Sequence, residues 1–286
     1  MTVHPPIVLT TDFGQSDSYV GVMKGVISSI NPRASVIDLT HLVQPQNVQQ
    51  AAFILGTSHN FFPKDSIHVV VVDPGVGTDR KAVLLVTPTA RFLAPDNGVL
   101  SYVVAEHCDP GLEAAGVVPV PLQCAAYRLT NPDYWLHPVS NTFHGRDLFA
   151  PAAAHLSLGV RPGLMGELLS ELVWRPPPKP TSEGNRITGE VIYADHFGNL
   201  ITNIRQSNIR QSLLGGPARV TVEITGHRID GLSRTFHDNS ESTSVGPLAL
   251  LGSNGYLEIA IPDGSAQELL GVRAGETVLV ILDPPF

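Results

Sequence analysis

Between Ile67 and Arg80 the chain reads Ile-His-Val-Val-Val-Val-Asp-Pro-Gly-Val-Gly-Thr-Asp-Arg, an apolar run that stops abruptly at a carboxylate, two glycines and a guanidinium. A continuous valine run with no polar alternation suits a central parallel strand whose two faces are both covered. Open α/β sheets bind their ligands just beyond the carboxyl ends of such strands. Asp73 is therefore expected to project into a crevice.

The flanking pattern supports that sheet. Ile7 to Leu9 reads as a strand. Val20, Met23, Ile27 and Ile30 recur at helical spacing behind Ser16 or Asp17, predicting a helix from about 17 to 30. Val36 to Leu39 reads as a strand, Val48 to His59 as a helix and Val83 to Val86 as a further strand, with Pro, Gly, Asn or Asp between them. A helix from Leu148 to Leu158 begins near Asp147 and stops at Gly159. The order predicts an α/β N-terminal domain with a mostly parallel sheet and helices on both faces. Trp174 to Pro180 contains four prolines, which remove backbone donors and favour an extended chain. Short strands and turns follow, at 187–194, 200–204, 220–225, 248–251, 256–261 and 277–282, predicting a smaller all-β, barrel-like domain. The expected division is 1–175 for the α/β domain, 176–185 for a proline-rich linker and 186–286 for the β domain.

Charge and composition narrow the partners. A formal net charge of −8, from 26 acidic and 18 basic residues, disfavours a phosphate-backbone partner and suits a cationic small ligand. Cys108 and Cys124, with no CxxC spacing, support neither a zinc ribbon nor a disulfide framework, so a reduced, cytoplasmic setting is expected. The N-terminus lacks a basic then apolar leader, and no apolar stretch is long enough for a membrane span.

The polar stretches carry the chemistry. Thr10 to Asp17 puts Asp12 and Asp17 at a strand end, where one carboxylate can accept both hydroxyls of a ribose and the other can neutralise an ammonium. The plainer reading is a turn at Asp12 and a helix cap at Ser16 or Asp17. The Asp-Phe-Gly triplet is not a kinase metal site, because too few residues precede it. Asp73-Pro-Gly-Val-Gly resembles the opening motif of Rossmann-type methyltransferases, but Asp79 stands where the third glycine belongs and the motif follows the third strand rather than the first. Asp96-Asn97-Gly98 puts another acid and amide beyond a strand, as a turn or as a binding element. His144, Arg146 and Asp147 share a polar loop that runs into an apolar helix. In the β domain, Phe197 can stack on a base while Asn199 reads its edge. The turn at Ser253 can hold a carboxylate, and both turns can equally be ordinary hairpins.

Taken together, TDFGQSDSYVGVMKG, VVDPGVGTDRKAV, APDNGVL, NTFHGRDLFAPAAAHL, DHFGNLITNI and GSNGYLEIA resemble the S-adenosyl-L-methionine (SAM) hydroxide adenosyltransferases, the SAM hydrolases related to fluorinase and chlorinase. The resemblance implies a homotrimer with SAM held between the N-terminal domain of one subunit and the C-terminal domain of its neighbour. Asp12 would hold the ribose diol, and Asp17 the methionine moiety with Asp195 and Ser253 nearby. Phe197 and Asn199 would face the adenine. Asn97 and Asn254 complete the substrate-binding set, Asn254 standing where a halogenating relative has Arg. The hydrolytic Asp, Arg, His set corresponds to Asp73, Arg80 and His144. The expected reaction is attack of water, oriented and partly deprotonated by Asp73 and His144, on ribose C5′, giving adenosine and L-methionine. SAM is then the substrate, with no resident cofactor and no metal. Alternatives are halide alkylation, methyl transfer and ligand sensing without turnover. The insert at about 108–137, with Tyr134 and Trp135, matches none of the motifs.

Overall fold

The computed structural model describes residues 4–108, 112–212, 219–236 and 246–283, with the backbone alone for 211 and 212. Residues 1–3, and 109–111 of the insert, lie outside it. The chain divides into two compact units, Met1–Pro177 and Pro178–Phe286.

The first unit runs β1 (Ile7–Thr11), α1 (Tyr19–Ile30), β2 (Val36–Thr40), α2 (Val48–Ser58), β3 (Ile67–Val71), β4 (Ala82–Val86), β5 (Arg91–Pro95), α3 (Ser101–Ala105), β6 (Gly116–Pro119), β7 (Ala125–Leu129), α4 (Ala150–Ser157), β8 (Gly166–Leu169) and β9 (Glu171–Trp174). Seven strands form one sheet in the order β2-β1-β3-β5-β4-β7-β8, and β6 pairs with β9 apart from it. The valine run is the buried strand expected. Ile67, Val69 and Val71 pack with Met23 and Ile27 of α1 on one face, while Val70 and Val72 pack with Val48, Ala51 and Leu55 of α2 on the other. From β1 the chain crosses by α1 to β2 on one side, then by α2 to β3 on the opposite side. Strand order thus reverses between β1 and β3, and their carboxyl ends frame the crevice where such sheets bind ligands. Thr11 and Val71 are register partners there, so Asp12 and Asp73 leave neighbouring strands close together.

The parallel expectation holds for only half the sheet. β2–β1, β1–β3 and β3–β5 are parallel, whereas β5–β4, β4–β7 and β7–β8 are antiparallel. The reason is local: no helix separates β3 from β4, and β4 turns straight into β5 through Thr87–Ala90, where the Thr87 N–H donates to the Ala90 carbonyl. Tight reversals can join only antiparallel neighbours.

His68, on β3, is fully buried with its ring stacked on Phe92 at 5.1 Å and edge-on to Phe62 and His59. Neither ring nitrogen has a hydrogen-bond partner among the described residues. Burial, reinforced by nearby His59, pushes its pKa down to about 4. Protonation therefore favours the unfolded chain, and the contribution is intact above the ordinary value of 6.5 and lost as pH falls from there towards 4. This is worth roughly 3 kcal/mol. Urea midpoints between pH 7 and 4.5 should fall more steeply for the wild type than for His68→Phe, which leaves nothing to titrate between Phe62 and Phe92. Equal pH slopes in the two proteins would rule His68 out.

The second unit runs β10 (Thr181–Glu183), β11 (Arg186–Ala194), β12 (Leu200–Arg205), α5 (Gln206–Ser212), β13 (Arg219–Ile224), β14 (His227–Asp230), β15 (Leu248–Leu251), β16 (Tyr256–Ala260), α6 (Ala266–Leu270) and β17 (Thr277–Asp283). Its strands pair antiparallel in the order β14-β13-β17-β11-β12-β16-β15, with β10 added on β11. A bridge from Ser233, just past β14, to Leu250 of β15 brings the two edges together, so the sheet is a nearly closed barrel. Ile187, Val191, Leu200, Val222, Leu257, Ile259 and Val280 fill it. The linker expected over 176–185 is shorter than that, because Thr181–Glu183 already pairs with Arg186–Thr188 through a turn at Gly184 and Asn185. Among the described residues no helix is long and apolar enough to cross a membrane.

Candidate active site

A pocket of about 390 Å³ opens at the β1/β3 crevice, lined by Asp12, Phe13, Tyr19, Gln46, Asp73, Phe143 and His144, among others. After Asp73 the chain makes two tight turns, with Val76 N–H on the Asp73 carbonyl and Thr78 N–H on the Gly75 carbonyl. These bring Arg80 back onto the acid. Arg80 Nε donates to Asp73 Oδ1 at 3.0 Å and Nη2 to Oδ2, a bidentate pair whose side chains are only 10% and 4% exposed. The same Nη2 reaches His144 Nδ1 at 2.6 Å. Arg80 does not line the pocket; it stands behind Asp73 and His144, which do.

His144 comes from a separate loop, at the start of a single π-helical turn, Gly145–Phe149, that leads into α4. That loop is built around Asp147, which is fully buried. Its carboxylate accepts from Arg146 Nε at 2.5 Å and Nη2 at 3.0 Å, and from the Ser140 N–H at 2.8 Å. The two loops meet at Gly77, which has φ +78° and where a Cβ would stand 2.2 Å from the Asn141 carbonyl oxygen. Only glycine fits such an approach.

Electrostatics fix the protonation of His144. A guanidinium has no acceptor, so Nδ1 accepts from Arg80 and the ring proton resides on Nε2. Burial, and then the Arg80 charge, hold its pKa below the ordinary value against the opposing pull of Asp73 and Asp147. His144 is accordingly a neutral hydrogen-bond donor towards the pocket.

Asp12 also faces the pocket. Its Oδ2 accepts the Gln46 N–H at 2.7 Å, a bond to a residue held at φ +65°, where non-glycine residues are uncommon. Asp17 is exposed and outside the lining, and among the described residues its carboxylate accepts one hydrogen bond, from the Ser16 hydroxyl at 3.5 Å. It is not a cap either, since α1 starts at Tyr19 after Ser18. Asn97 is likewise absent from the lining, because both ends of its amide serve the backbone, Nδ2 donating to the Val72 carbonyl and Oδ1 accepting from Val99 N–H. It braces the residue before Asp73, with one amide N–H and one oxygen lone pair beyond these two bonds.

The second unit carries its own cavity of about 800 Å³, lined by Asp195, Phe197, Asn199, Ser253 and Asn254 together with Tyr193, Phe236 and Glu258. Asp195 shapes the β11–β12 turn: Oδ1 accepts from Phe197 and Asn199 N–H, and Oδ2 from the Asn199 amide at 3.0 Å. Phe197 is thereby presented 74% exposed. Ser253 and Asn254 are exposed on the β15–β16 turn.

A family model for the SAM hydroxide adenosyltransferase N-terminal domain matches residues 7–166, and one for the C-terminal domain of that family matches 189–279. The chain belongs to the SAM hydroxide adenosyltransferase family. An (R)-S-adenosyl-L-methionine hydrolase of Thermus thermophilus is 39% identical over 278 residues, covering 96% of this chain and 99% of that one. A crystal structure of an uncharacterized conserved protein from Thermotoga maritima superposes with a TM-score of 0.83 at 36% identity, over 96% of this chain and 99% of that one. A fluorinase of Actinoplanes sp. is 27% identical, with 97% of each chain covered.

Within this hydroxide adenosyltransferase chain, two sets of pocket residues escaped the sequence reading. Phe13, Tyr19 and Phe143 pack against one another with ring centroids 5.2–5.8 Å apart and wall the first pocket. Each sits beside a residue already singled out, which was the available signal. Glu258 lies in the second cavity with no hydrogen bond or ion pair among the described residues, and burial and Asp195 raise its pKa. It stands between buried Leu257 and Ile259 on β16, as an ordinary outward-facing polar residue does, so the sequence carries no signal that sets it apart. Among the described residues no three His, Cys, Asp or Glu side chains gather to hold a metal ion.

Proposed function

We propose that this protein hydrolyses S-adenosyl-L-methionine to adenosine and L-methionine by attack of water on ribose C5′. The observation that carries the reading is the Asp73–Arg80–His144 cluster at the sheet's switch point, with acid and imidazole facing the pocket and guanidinium behind them. The name of the Thermus relative supports it.

In this reading the water donates to Asp73 and accepts from His144 Nε2–H, which leaves a lone pair for C5′. The imidazole thus orients rather than deprotonates, and Asp73 takes the proton. A carboxylate is base enough, because the oxygen becomes strongly acidic as its bond to carbon forms. The departing sulfur becomes a neutral thioether and needs no acid, so the reaction calls for no metal and no resident cofactor. Fixing water in a near-attack geometry is worth up to about 7–11 kcal/mol. A halide in its place would meet the Asp73 carboxylate in a poorly screened pocket, which favours water.

The reading takes a homotrimer as the working assembly, the second-unit cavity of a neighbouring subunit supplying the adenine and methionine contacts, and the cytoplasm as its location. The two cysteines, both free, suit a reducing compartment.

The test is turnover of SAM in isotopically labelled water, with each sulfur epimer supplied separately, since the stereodescriptor in the relatives' name belongs to the sulfonium. The label should appear in the 5′ hydroxyl of adenosine. S-adenosylhomocysteine as product would overturn the reading in favour of methyl transfer, and 5′-chloro-5′-deoxyadenosine in excess chloride would favour halide alkylation.

A further inference from the structure

Asp12 stands on a turn that is gripped from outside the pocket. His41, one residue past β2 and 4% exposed, holds that turn at both ends. Its Nδ1 lies 2.9 Å from the Thr11 hydroxyl, and its backbone carbonyl accepts the Gly14 N–H at 2.8 Å, where φ is +71°. Its Nε2 stands 2.9 Å from Asp38 Oδ1, and Asp38 Oδ2 is 2.6 Å from Lys24 Nζ on α1. That Nε2 contact is an ion-pair distance without hydrogen-bond alignment, and the hydrogen bond the ring makes is the one between Nδ1 and the Thr11 hydroxyl. The hydroxyl oxygen then accepts the Phe13 N–H at 3.2 Å. Thr11, His41, Asp38 and Lys24 do not line the pocket, whereas Asp12 and Phe13, between the two grips, do.

We propose that His41 is a positioning residue for Asp12, setting through Thr11 and Gly14 the orientation in which that carboxylate takes a ribose diol and so the protein's preference for ribonucleosides over their deoxy counterparts. The inference rests on the reading of Asp12 as the diol acceptor. Two vicinal hydroxyls are satisfied together only when both carboxylate oxygens face them, and the Gln46 contact restrains a single oxygen. A turn held at Thr11, Gly14 and Gln46 cannot swivel; without the His41 side chain the Gly14 N–H keeps the residue-41 carbonyl but the Thr11 end comes loose, so the start of the turn pivots and one hydroxyl loses its partner.

The experiment measures dissociation constants of adenosine and 2′,3′-dideoxyadenosine by calorimetry for the wild type, Asp12→Ala, His41→Ala and the double variant. Wild type is expected to prefer adenosine by about tenfold or more, the scale of one hydrogen bond to a charged group. Asp12→Ala should abolish the preference, and His41→Ala should remove most of it while dideoxyadenosine binding stays within about twofold. The double variant should match Asp12→Ala alone. His41→Asn, whose amide can still reach Thr11, should restore part of the preference, which a merely structural role would not predict. Thr11→Val removes only the hydroxyl link and gives the same readout should His41→Ala fail to fold. A preference that survives Asp12→Ala overturns the reading of Asp12. A preference lost in Asp12→Ala but kept in both His41→Ala and Thr11→Val leaves that reading standing and overturns the role of His41.

Discussion

Asp73→Asn is expected to lower SAM turnover by about 10²–10⁴-fold while ligand affinity moves by no more than a few-fold. The substitution keeps the size of the side chain and one acceptor oxygen, so Arg80 Nε retains a partner. It replaces the proton acceptor with an amide that has no useful basicity, and it turns an N–H towards Arg80 Nη2, already committed to His144. Single-turnover rates beside calorimetric affinities separate the two effects. A variant that keeps half its turnover would remove Asp73 from the chemistry, and one that loses binding instead would recast it as a substrate anchor.

The other large effect is expected at Arg80, whose guanidinium serves two partners at once. Arg80→Ala leaves a carboxylate that is 4% exposed without its counter-charge and frees His144 Nδ1 to take a proton. Breaking such a buried pair costs about 3–5 kcal/mol, so the denaturant midpoint of the first unit should fall, and turnover should fall by at least about 10²-fold with the loss of the aligned acid. Arg80→Lys keeps the charge but presents a point donor that cannot span both oxygens of Asp73 and the imidazole, so it should recover stability more than rate. Millimolar guanidinium should raise Arg80→Ala turnover by refilling the gap. Equal stability of wild type and Arg80→Ala in urea would mean that Asp73 finds water or another donor, and the pair would lose its proposed weight.

Much of the first unit was legible because its central elements are long in pattern and buried on both faces. The valine run of β3 and the apolar spacing of Met23 and Ile27 have one physical solution each. Of the antiparallel half β4 was legible, but β8 has no buried residue, and β6, paired with β9 apart from that sheet, carries one in four, so neither alternates cleanly. Likewise α6, at five residues, is shorter than two helical turns and shows no period. The site divides along the same line. That Asp73 ends a buried strand follows from the chain itself, whereas its meeting with Arg80 and with His144, 64 residues beyond Arg80, followed only from the family resemblance. Asp17 and Asn97 were named from motif alone; in the single chain one side chain is exposed and the other ties the Val72 carbonyl to its own turn.

The contact between Gly77 and the Asn141 carbonyl has a consequence for how this protein uses its folding energy. Two loops drawn from distant parts of the chain are seated flush, with no side chain between them to act as a hinge. The entropy of bringing the Asp73 and His144 loops together is therefore lost when the chain folds, and that part of the pocket does not have to be assembled on binding.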